Sequence, residues 1–396
     1  MRLGVLRSPE EPPRQNDSGM RQVEVALFSP SFDRGGVERM LVQLARGLAD
    51  LGHRVDLVVR RRKGELLAGL PEAVRVVELD TIERDTLRAA VAYLRASVPP
   101  VLVSSKPENN ALAVAARLRA GVHTRVFIRA ASAESARSAG QFFLTRWRLF
   151  RTMRRVFRQA DGIIAVSRDL AADVASITGI PVQAIQVAHN PVVTPEMFEL
   201  ARAPLDHPWV VVGSPPLILG IGRLGRVKNF ALLVRAFARV RREQPCRLMI
   251  LGEGRERAAL DRLAARLGVA DDFALPGFVH NPFAYLSRAR LFALTSVAEG
   301  SPNALTEALA LGTPVVSTDC RTGPREILQD GRYGTLVPVA DEEALADAML
   351  ATLRHPHDAE YLRRAALPYT VEGSAREYAA ILGLGRSGAG RPGGQA

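Results

Sequence analysis

The segment EGSPNALTE, which runs from Glu299 to Glu307, combines two carboxylates with the start of a helix. Ser301 is a favourable N-cap residue and Pro302 suits the first helical position, so the sequence predicts a helix that begins at Pro302. The first backbone N–H groups of a helix have no partner within it, and the helix dipole is positive there. We therefore expect these N–H groups to bind a diphosphate. The donors concerned belong to Asn303, Ala304 and Leu305.

The two carboxylates lie on either side of this expected diphosphate site. Glu299 precedes the helix, where its oxygens can accept hydrogen bonds from sugar hydroxyls. Glu307 follows about one and a half turns into the helix, within reach of a ribose diol. Taken singly, each could be an ordinary surface carboxylate. Together with the cations Arg223 and Lys228 they indicate a site for a nucleoside diphosphate that carries a sugar.

Arg223 and Lys228 follow the apolar run PLILGIG. The same region, GIGRLG, also matches a dinucleotide-binding loop, with Glu253 as the acidic residue at the end of the next strand. However, Glu253 lies beyond the usual offset of about 20 residues, and a dinucleotide loop relies on backbone N–H groups rather than on two cations. A third alternative is that both cations are solvated in an ordinary turn. We interpret Arg223 and Lys228 as diphosphate-binding residues.

Glycines at further strand ends extend the candidate site. Gly35 and Gly36 follow the first strand and would let the backbone approach a diphosphate from the opposite wall. A simple tight turn is the alternative. The runs GEG and GFV in the second half of the chain could form walls of a nucleoside site, or could equally be turns. The donor-site candidates on this ground are Gly35, Gly36, Gly222, Gly252, Glu253, Phe278 and Val279.

No residue pattern indicates a bound metal. There is no D-x-D pair at the end of a strand, and the two cysteines, Cys246 and Cys320, are too far apart for a zinc site. The charge of a leaving diphosphate can be neutralised by a divalent cation or by fixed positive groups. We expect the fixed groups here, namely Arg223, Lys228 and the helix terminus, and neither a metal nor a cofactor.

The elements that must position these residues form two series. From VEVALFS to QVAHNPV, short apolar runs alternate with amphipathic stretches, and the same alternation restarts at PLILGIG and continues to PVVST. This alternation predicts parallel strands with crossover helices. We therefore predict an α/β protein with two doubly wound, Rossmann-like domains, whose facing strand ends form an interdomain cleft that holds the ligands.

The length of 396 residues and the apolar fraction of 47% also fit two domains. We expect an N-terminal domain over residues 21–205 and a C-terminal domain over 206–370. A terminal helix over 371–384 could pack back on the N-terminal domain. Residues 1–20 and 385–396 are rich in Gly, Pro and polar residues and are expected to be disordered.

The formal net charge of +12 predicts attraction to phosphate groups on nucleic acid, lipid or nucleotide. No aromatic-basic recognition module accompanies it, and the glutamates would be unfavourable beside a phosphate backbone, so we expect no nucleic-acid partner. No apolar run reaches about 18 residues, and the N-terminus lacks the apolar centre of a signal peptide. With only two cysteines, these features favour a cytoplasmic protein.

Residues 141–160 (QFFLTRWRLFRTMRRVFRQA) contain six arginines and no acidic residue. As a helix, they place an aromatic stripe beside a row of arginines, a pattern typical of helices that lie in the plane of a membrane. A helix that packs its stripe on the sheet has the same pattern. We expect this face to contact an anionic membrane surface. The stripe is Phe143, Trp147, Phe150 and Phe157, and the residues expected at the membrane are Trp147, Arg148, Arg151 and Arg155.

Four motifs in this order resemble family 4 glycosyltransferases of GT-B architecture: FDRGGVERMLVQLARGLADLGHRVDLVV, GIGRLGRVKNF, EGSPNALTE and ALGTPVVSTDCRTGPREIL. The resemblance covers nearly the whole chain except the tails. It implies a retaining, metal-independent sugar transfer from a nucleotide-diphosphate donor on the C-terminal domain to an acceptor on the N-terminal domain. It also implies that Arg223 and Lys228 bind the diphosphate, Glu299 the transferred sugar and Glu307 the ribose. The candidate catalytic residues are Glu299, Arg223 and Lys228.

The resemblance favours a UDP-sugar donor and a glycan or lipid-linked acceptor. The product would be a surface polysaccharide, lipopolysaccharide or glycolipid, made at the inner face of the cytoplasmic membrane by a peripheral protein. A nucleotide-sugar epimerase of the same architecture, which needs no acceptor site, is the alternative enzyme. A basic nucleic-acid-binding protein and a non-catalytic sugar-nucleotide sensor are alternatives of other classes.

One position departs from the family pattern. Many members have a histidine near the reacting sugar, after the strand that corresponds to RVFIRA, but this chain has Arg129 followed by Ala130. We expect Arg129 to take a polar role there, and His189 to be an interdomain or structural histidine. The family implies front-face attack assisted by the leaving phosphate. The candidates near the acceptor or sugar are Lys106, Glu108, Asn109 and Arg129.

Overall fold

The computed structural model of the protein describes residues 22–30, 36–61, 67, 69–211 and 213–385. The predicted N-terminal tail and nearly all of the predicted C-terminal tail lie outside these residues. The described chain forms two all-parallel β-sheets with helices between the strands. The predicted α/β class with two doubly wound, Rossmann-like domains is confirmed.

The first sheet has seven strands in the order β3-β2-β1-β4-β5-β6-β7. The strand order reverses between β1 and β4, which is where doubly wound sheets bind ligands. Its strands are β1 (Val25–Phe28), β2 (Val55–Val59), β3 (Val74–Glu78), β4 (Val101–Ser105), β5 (Arg125–Ala130), β6 (Gly162–Ala165) and β7 (Ile185–Val187). Its helices are α1 (Gly36–Asp50), α2 (Thr86–Ser97), α3 (Pro107–Ala120), α4 (Glu134–Arg137), α5 (Phe143–Phe157) and α6 (Arg168–Thr178).

The second sheet has six strands in the order β10-β9-β8-β11-β12-β13, with the reversal between β8 and β11. Its strands are β8 (Leu217–Ile221), β9 (Arg247–Leu251), β10 (Phe273–Gly277), β11 (Leu291–Leu294), β12 (Val315–Thr318) and β13 (Thr335–Val337). The remaining helices are α7 (Pro195–Arg202), α8 (Phe230–Glu243), α9 (Arg257–Arg266), α10 (Phe283–Leu286), α11 (Asn303–Leu311), α12 (Pro324–Ile327), α13 (Glu342–Arg354), α14 (Ala359–Ala366) and α15 (Val371–Leu382).

Both sheets are apolar on both faces, which explains the unbroken apolar runs of the sequence. Every residue of β1 and β11 is buried. The buried side chains form four clusters, two built on each sheet. Strands covered on both faces lack the alternation of half-buried strands. Strand β13 was not predicted, because its three residues, of which Thr335 is exposed, carry too little pattern.

The chain crosses between the two domains twice. Helix α7 precedes the predicted boundary at residue 205, yet its Met197 is buried in the core of the second domain. Helix α15 returns to the first domain, where Tyr378 and Leu382 join the core beside α1. The two crossing segments contact each other, since the backbone N–H of Val192 donates to the carbonyl oxygen of Tyr369 (2.9 Å). The two segments that cross between the domains therefore lie side by side and are hydrogen bonded to each other.

Gly47 of α1 allows this helix to pack closely on α15. A Cβ atom at Gly47 would lie 2.8 Å from the Cβ atom of Ala375 and 3.0 Å from the carbonyl oxygen of Val371. We expect Gly47→Val to lower the free energy of unfolding by about 1–3 kcal/mol, because overpacking forces the two helices apart. Urea denaturation followed by circular dichroism measures the change. Gly140→Ala is the control, because no atom lies within 4 Å of the added Cβ atom; equal stability of all three proteins would contradict this account.

Candidate active site

The loops that follow the strands of the two sheets contact each other across a cleft. The hydroxyl of Ser167, after β6, donates a hydrogen bond to the carbonyl oxygen of Gly300, after β11 (3.1 Å). The backbone N–H of Arg168 donates to Oε2 of Glu326 (2.8 Å). A Cβ atom at Gly300 would lie only 2.2 Å from the carbonyl oxygen of Ala131, after β5. The carboxyl ends of the two sheets therefore face one another.

Lys228 and Glu299 form an ion pair within this cleft, although 71 residues separate them. Nζ of Lys228 lies 2.6 Å from Oε1 of Glu299, and the hydroxyl of Ser296 donates to the same oxygen (2.6 Å). The two loops are joined by a backbone hydrogen bond from Val297 to Val227 (2.8 Å). Lys228, which was predicted to bind the diphosphate, is therefore a direct neighbour of Glu299, which was predicted to bind the sugar.

Helix α11 begins at Asn303, one residue later than predicted. Its N-cap residue is Pro302 rather than Ser301, and no side chain caps the helix. The prediction that Leu305 offers a free N–H group is wrong, because this group donates to the carbonyl oxygen of Pro302 (3.0 Å) in a first turn tightened to i+3 spacing. In the described chain, the N–H groups of Asn303 and Ala304 remain as the helix-terminal donors.

Glu307, on the second turn of α11, is almost completely buried (6% exposed). Burial raises the pKa of its carboxyl group, and the nearby charges of Arg39 and Lys228 oppose the rise. Nη1 of Arg39 lies 3.9 Å from Oε1 of Glu307 and comes from α1 of the first domain. Arg39 was not predicted from the sequence; its position one turn after the Gly35-Gly36 pair was the available signal.

Three glycines bring the ends of β8, β9 and β10 together. A Cβ atom at Gly252 would lie 2.0 Å from the carbonyl oxygen of Gly222, and the N–H of Gly252 donates to the carbonyl oxygen of Gly277 (2.8 Å). Beside them, the carboxylate of Glu253 accepts two hydrogen bonds from Arg257 (2.7 Å and 3.1 Å), which hold the pKa of Glu253 below its ordinary value. The carboxylate of Glu253 is therefore already paired with the first residue of helix α9.

The other two donor-site candidates of the second domain differ in exposure. Phe278 is 55% exposed and meets the ring of His280 edge to face (5.3 Å between ring centroids). Val279 is partly buried and packs on the core of the second domain. Phe278 is the one of the two that can offer an aromatic surface to a ligand.

A cavity of about 780 Å³ opens from the cleft into the first domain. Gly36 and Glu108 line it from the first domain, and Arg223 lines it from the second. Gly35 lies outside the described residues. Because Arg223 is exposed and borders the cavity, it lies where a ligand held between the domains would meet it.

The candidate residues that follow β4 differ in whether they line the cavity. Lys106 lines the cavity and forms an ion pair with the buried carboxylate of Glu38, on α1. Its backbone has φ 74°, a conformation that L residues rarely adopt. Asn109 is buried but does not line the cavity; Asn110, which the sequence analysis missed, does. The spacing of Glu108 and Asn109 at a helix start could not show which of the neighbours points inward.

Arg129 ends β5 and is 2% exposed. Its Nε donates to the hydroxyl of Tyr378 (2.8 Å), and its Nη2 donates to Oδ1 of Asn190 (2.5 Å). Nδ2 of Asn190 in turn donates to Oδ1 of Asn303 (2.9 Å), at the start of α11. A continuous chain of hydrogen bonds therefore links the first domain to the proposed diphosphate site.

A second polar group, which was not predicted from the sequence, joins the two domains beside the cavity that Asp173 lines. Ser135 is hydrogen bonded to the buried carboxylate of Asp173, and Arg321 of the second domain contacts both (3.2 Å to the hydroxyl and 3.6 Å to the carboxylate). Burial raises the pKa of the neighbouring Glu134. These residues lie on the short helix α4, on α6 and in a loop, where no periodic pattern marks them.

The aromatic stripe of α5 is divided into two parts. Phe143 and Trp147 are 72% and 47% exposed, whereas Phe157 is buried and lines the cavity. The expectation that Phe157 belongs to one exposed face with Trp147 is wrong, because the last turns of α5 pack on the core of the first domain. Arg151 lies over the Trp147 ring (5.2 Å to its centroid). The exposed arginines of this helix include Arg148, Arg151 and Arg155.

His189 connects the loop after β7 to α15. Its Nδ1 lies 3.0 Å from Oε1 of Glu377, and its ring meets Tyr369 edge to face. The hydrogen bond to Glu377 raises the pKa of His189. Burial works against ionisation of Glu377, but the hydrogen bonds from His189 hold the pKa of this carboxyl group below its ordinary value.

Within the described residues, no group of three or more His, Cys, Asp or Glu side chains could hold a metal ion. Nor does any helix of that part of the chain have the length and apolar composition that a membrane span requires.

Two family models match the chain. The model for Glycosyltransferase Family 4 matches residues 34–195, and the model for Glycosyl transferases group 1 matches residues 215–355. The chain belongs to the family 4 glycosyltransferases. The predicted family is thereby confirmed, and with it membership of a class of transferase enzymes.

Curated relatives are named as glycosyltransferases. The chain is 31% identical over 198 residues to N-acetylgalactosamine-N,N'-diacetylbacillosaminyl-diphospho-undecaprenol 4-alpha-N-acetylgalactosaminyltransferase of Campylobacter jejuni. This match covers 50% of the chain and 52% of the relative, so the chain spans about half the length of that enzyme. It is 29% identical to the lipopolysaccharide core biosynthesis glycosyltransferase LpsE of Rhizobium meliloti, over 80% of the chain and 84% of the relative.

A solved structure supports the fold. The Anabaena protein HepE, in complex with UDP and glucose, superposes with a TM-score of 0.71 and is 18% identical, covering 91% of this chain and all of that one. The GT-B architecture is thus confirmed.

The ion pair of His189 and Glu377 predicts a pH-dependent anchor for α15. Its stabilising effect is fully present below the unfolded pKa of histidine, about 6.5, and is lost as pH rises through the raised folded pKa. We expect Glu377→Gln to lower the melting temperature clearly at about pH 6 and much less at about pH 8.5. Glu372→Gln is the control, because Glu372 lies on the same helix and pairs with an arginine, Arg376, instead of a histidine. An equal effect of Glu377→Gln at both pH values would refute the anchor.

Proposed function

We propose that the protein transfers a sugar, with retention of anomeric configuration and without a metal, from a nucleotide-diphosphate sugar to a glycan or lipid-linked acceptor. The observation that carries this proposal is the Lys228–Glu299 ion pair beside the start of α11. It brings a cation, a carboxylate and helix-terminal N–H groups to one place. These are the groups that a diphosphate and a sugar require.

In the proposed reaction, the bond between the sugar and the diphosphate breaks as an acceptor hydroxyl attacks from the same face. The leaving diphosphate gains negative charge, which Arg223, Lys228 and the start of α11 neutralise. The departing phosphate takes the proton of the attacking hydroxyl. Glu299 exchanges its present partner Lys228 for the hydroxyls of the sugar, and Lys228 turns to the diphosphate. Retention is carried over from the family.

Glu307 would bind the ribose of the donor. Its carboxylate lies on α11 beyond the diphosphate donors, with Arg39 of the opposite domain near it. Because the carboxyl group is buried and its pKa is raised, ribose hydroxyls entering the site would replace lost hydration. We favour UDP as the nucleotide; the Anabaena neighbour was solved with UDP.

The relatives support a role in the synthesis of surface glycans. The Campylobacter enzyme is named for an acceptor linked to diphospho-undecaprenol, and the Rhizobium protein for lipopolysaccharide core biosynthesis. A nucleotide-sugar epimerase needs no acceptor site, whereas the cavity of the first domain leaves room for one. This space favours the transferase.

Stabilisation by nucleotides tests the donor site. We expect UDP or GDP to raise the melting temperature in the presence of EDTA, because a ligand that binds only the folded state stabilises it. Lys228→Ala and Glu307→Ala should each weaken binding about 10- to 100-fold, since each removes a hydrogen bond to a charged group. Arg226→Ala, which changes an exposed arginine of the same loop, should keep the full effect. Stabilisation by NAD alone would overturn the proposal in favour of a dinucleotide site.

We further propose that the protein works as a peripheral protein at the inner face of the cytoplasmic membrane, through the exposed half of α5. Phe142, Phe143 and Leu144 are 73%, 72% and 52% exposed, next to the arginines of the same helix. The opposite end of this helix lines the cavity through Met153 and Phe157. A lipid-linked acceptor held at the membrane would therefore lie near the cleft.

Sedimentation with vesicles tests this membrane contact. We expect binding to vesicles that contain anionic lipid, and a loss of at least about tenfold on Arg148→Glu plus Arg151→Glu, because each cation near the surface contributes about 1 kcal/mol. Arg262→Glu plus Arg266→Glu makes the same charge change on exposed residues of α9 in the other domain and should leave binding unchanged. Equal binding to neutral and anionic vesicles would show that α5 does not serve this purpose.

A further inference from the structure

Arg129 is a buried cation whose hydrogen-bond partners are all neutral. Besides Tyr378 and Asn190, its guanidinium contacts the hydroxyl of Ser105 (3.4 Å). No carboxylate of the described residues lies within 4.0 Å of it. An arginine side chain stays charged in proteins, and burial of a charge without a counter-ion is unfavourable.

The buried and partly buried carboxylates that line the cavity already have cationic partners. Lys106 holds the carboxylate of Glu38, and Arg321 contacts Asp173. Arg137 lies 2.9 Å from Glu134. The cavity therefore offers an unpaired positive charge at Arg129, where an incoming anionic group would find a partner.

The guanidinium of Arg129 also has N–H donors that its three contacts do not use. It carries five N–H groups, and the three contacts to Tyr378, Asn190 and Ser105 use one on each nitrogen. One N–H group on each terminal nitrogen is left. A carboxylate accepts hydrogen bonds from a guanidinium in a paired, planar geometry, which two such N–H groups can provide.

Arg129 lies close to the proposed position of the transferred sugar. Asn190 bridges it to Asn303 at the start of α11 (2.9 Å). The loop that carries Glu299 packs through Gly300 on Ala131, two residues after Arg129. The charge of Arg129 therefore lies beside the loop of Glu299, the proposed sugar carboxylate, and it reaches the proposed diphosphate donors at Asn303 only through Asn190. Lys228 and Arg223 are the cations proposed for the diphosphate, on the opposite domain.

We propose that the sugar transferred by this protein carries a carboxylate, as a uronic acid does, and that Arg129 binds that carboxylate. The inference rests on the proposed glycosyl transfer and names its donor class. Arg129 is then the residue that selects an acidic sugar over the neutral sugar of the same ring.

Donor pairs that differ only at the carboxylate test this inference. We would measure the dissociation constants of UDP-glucuronate and UDP-glucose by calorimetry, and in parallel those of GDP-mannuronate and GDP-mannose. We expect the acidic donor of one pair to bind about 10- to 100-fold more tightly, as a hydrogen bond to a charged group implies. Arg129→Gln should abolish this preference by weakening the acidic donor alone, and Arg129→Lys, which keeps the charge, should retain part of it.

Arg125→Gln is the matched control. Arg125 lies on the same strand and its Nη2 donates to the carbonyl oxygen of Leu382 on α15 (2.6 Å), but it does not line the cavity. The preference should survive in this variant. If Arg129→Gln does not fold, the preference of the unmodified protein and of Arg129→Lys decides the question.

A neutral donor that binds as tightly as its acidic counterpart would overturn the inference and leave the glycosyl transfer intact. Equal weakening of both donors by Arg129→Gln would also overturn it, because Arg129 would then support the fold or the acceptor. Failure of all four donors and of the free nucleotides to bind would overturn the proposed function itself, and the inference with it.

Discussion

The contact between the loops at Gly300 and Ala131 is the constraint on which the rest of the structure depends. A side chain at Gly300 would collide with the backbone of Ala131 in the opposite domain. The carbonyl oxygen of Gly300 also accepts a hydrogen bond from the hydroxyl of Ser167, in the same opposite domain. With this approach the strand ends of both sheets face one cleft. Without it, Arg223 would not border a cavity of the first domain, and Asn190 would not reach α11.

Charged side chains at the cleft are paired with one another in the protein. Lys228 and Glu299 neutralise each other, as do Lys106 and Glu38. In the proposed reaction, a diphosphate that binds Lys228 would release Glu299 for a sugar, and the exchange of one polar partner for another would cost little additional desolvation. Arg129 differs, because its buried charge has only neutral partners among the described residues.

The two domains are linked by polar contacts near the cleft and by the crossing segments behind it. Through the second of these crossings, helix α15 follows the second domain in the chain and completes the core of the first domain. The hydroxyl of Tyr378 on this helix accepts a hydrogen bond from Arg129, so α15 also supports the floor of the cleft. This position explains why α15 has an apolar face although it follows the second sheet in the chain.

The sequence by itself determined the fold class and the positions of nearly all strands along the chain, because buried parallel strands leave unbroken apolar runs and each run is a local feature. It determined the family through four local motifs. It also singled out Lys228, Glu299 and Glu307 as candidates, since each lies in a loop or near a helix start that local signals mark. Only the tertiary structure decided that Lys228 and Glu299 are bonded, that Phe157 turns inward, and that Arg39, Asn110, Asp173 and Arg321 reach the cleft. These facts depend on how two separately folded sheets approach each other, and residues that meet across such an interface share no spacing along the chain.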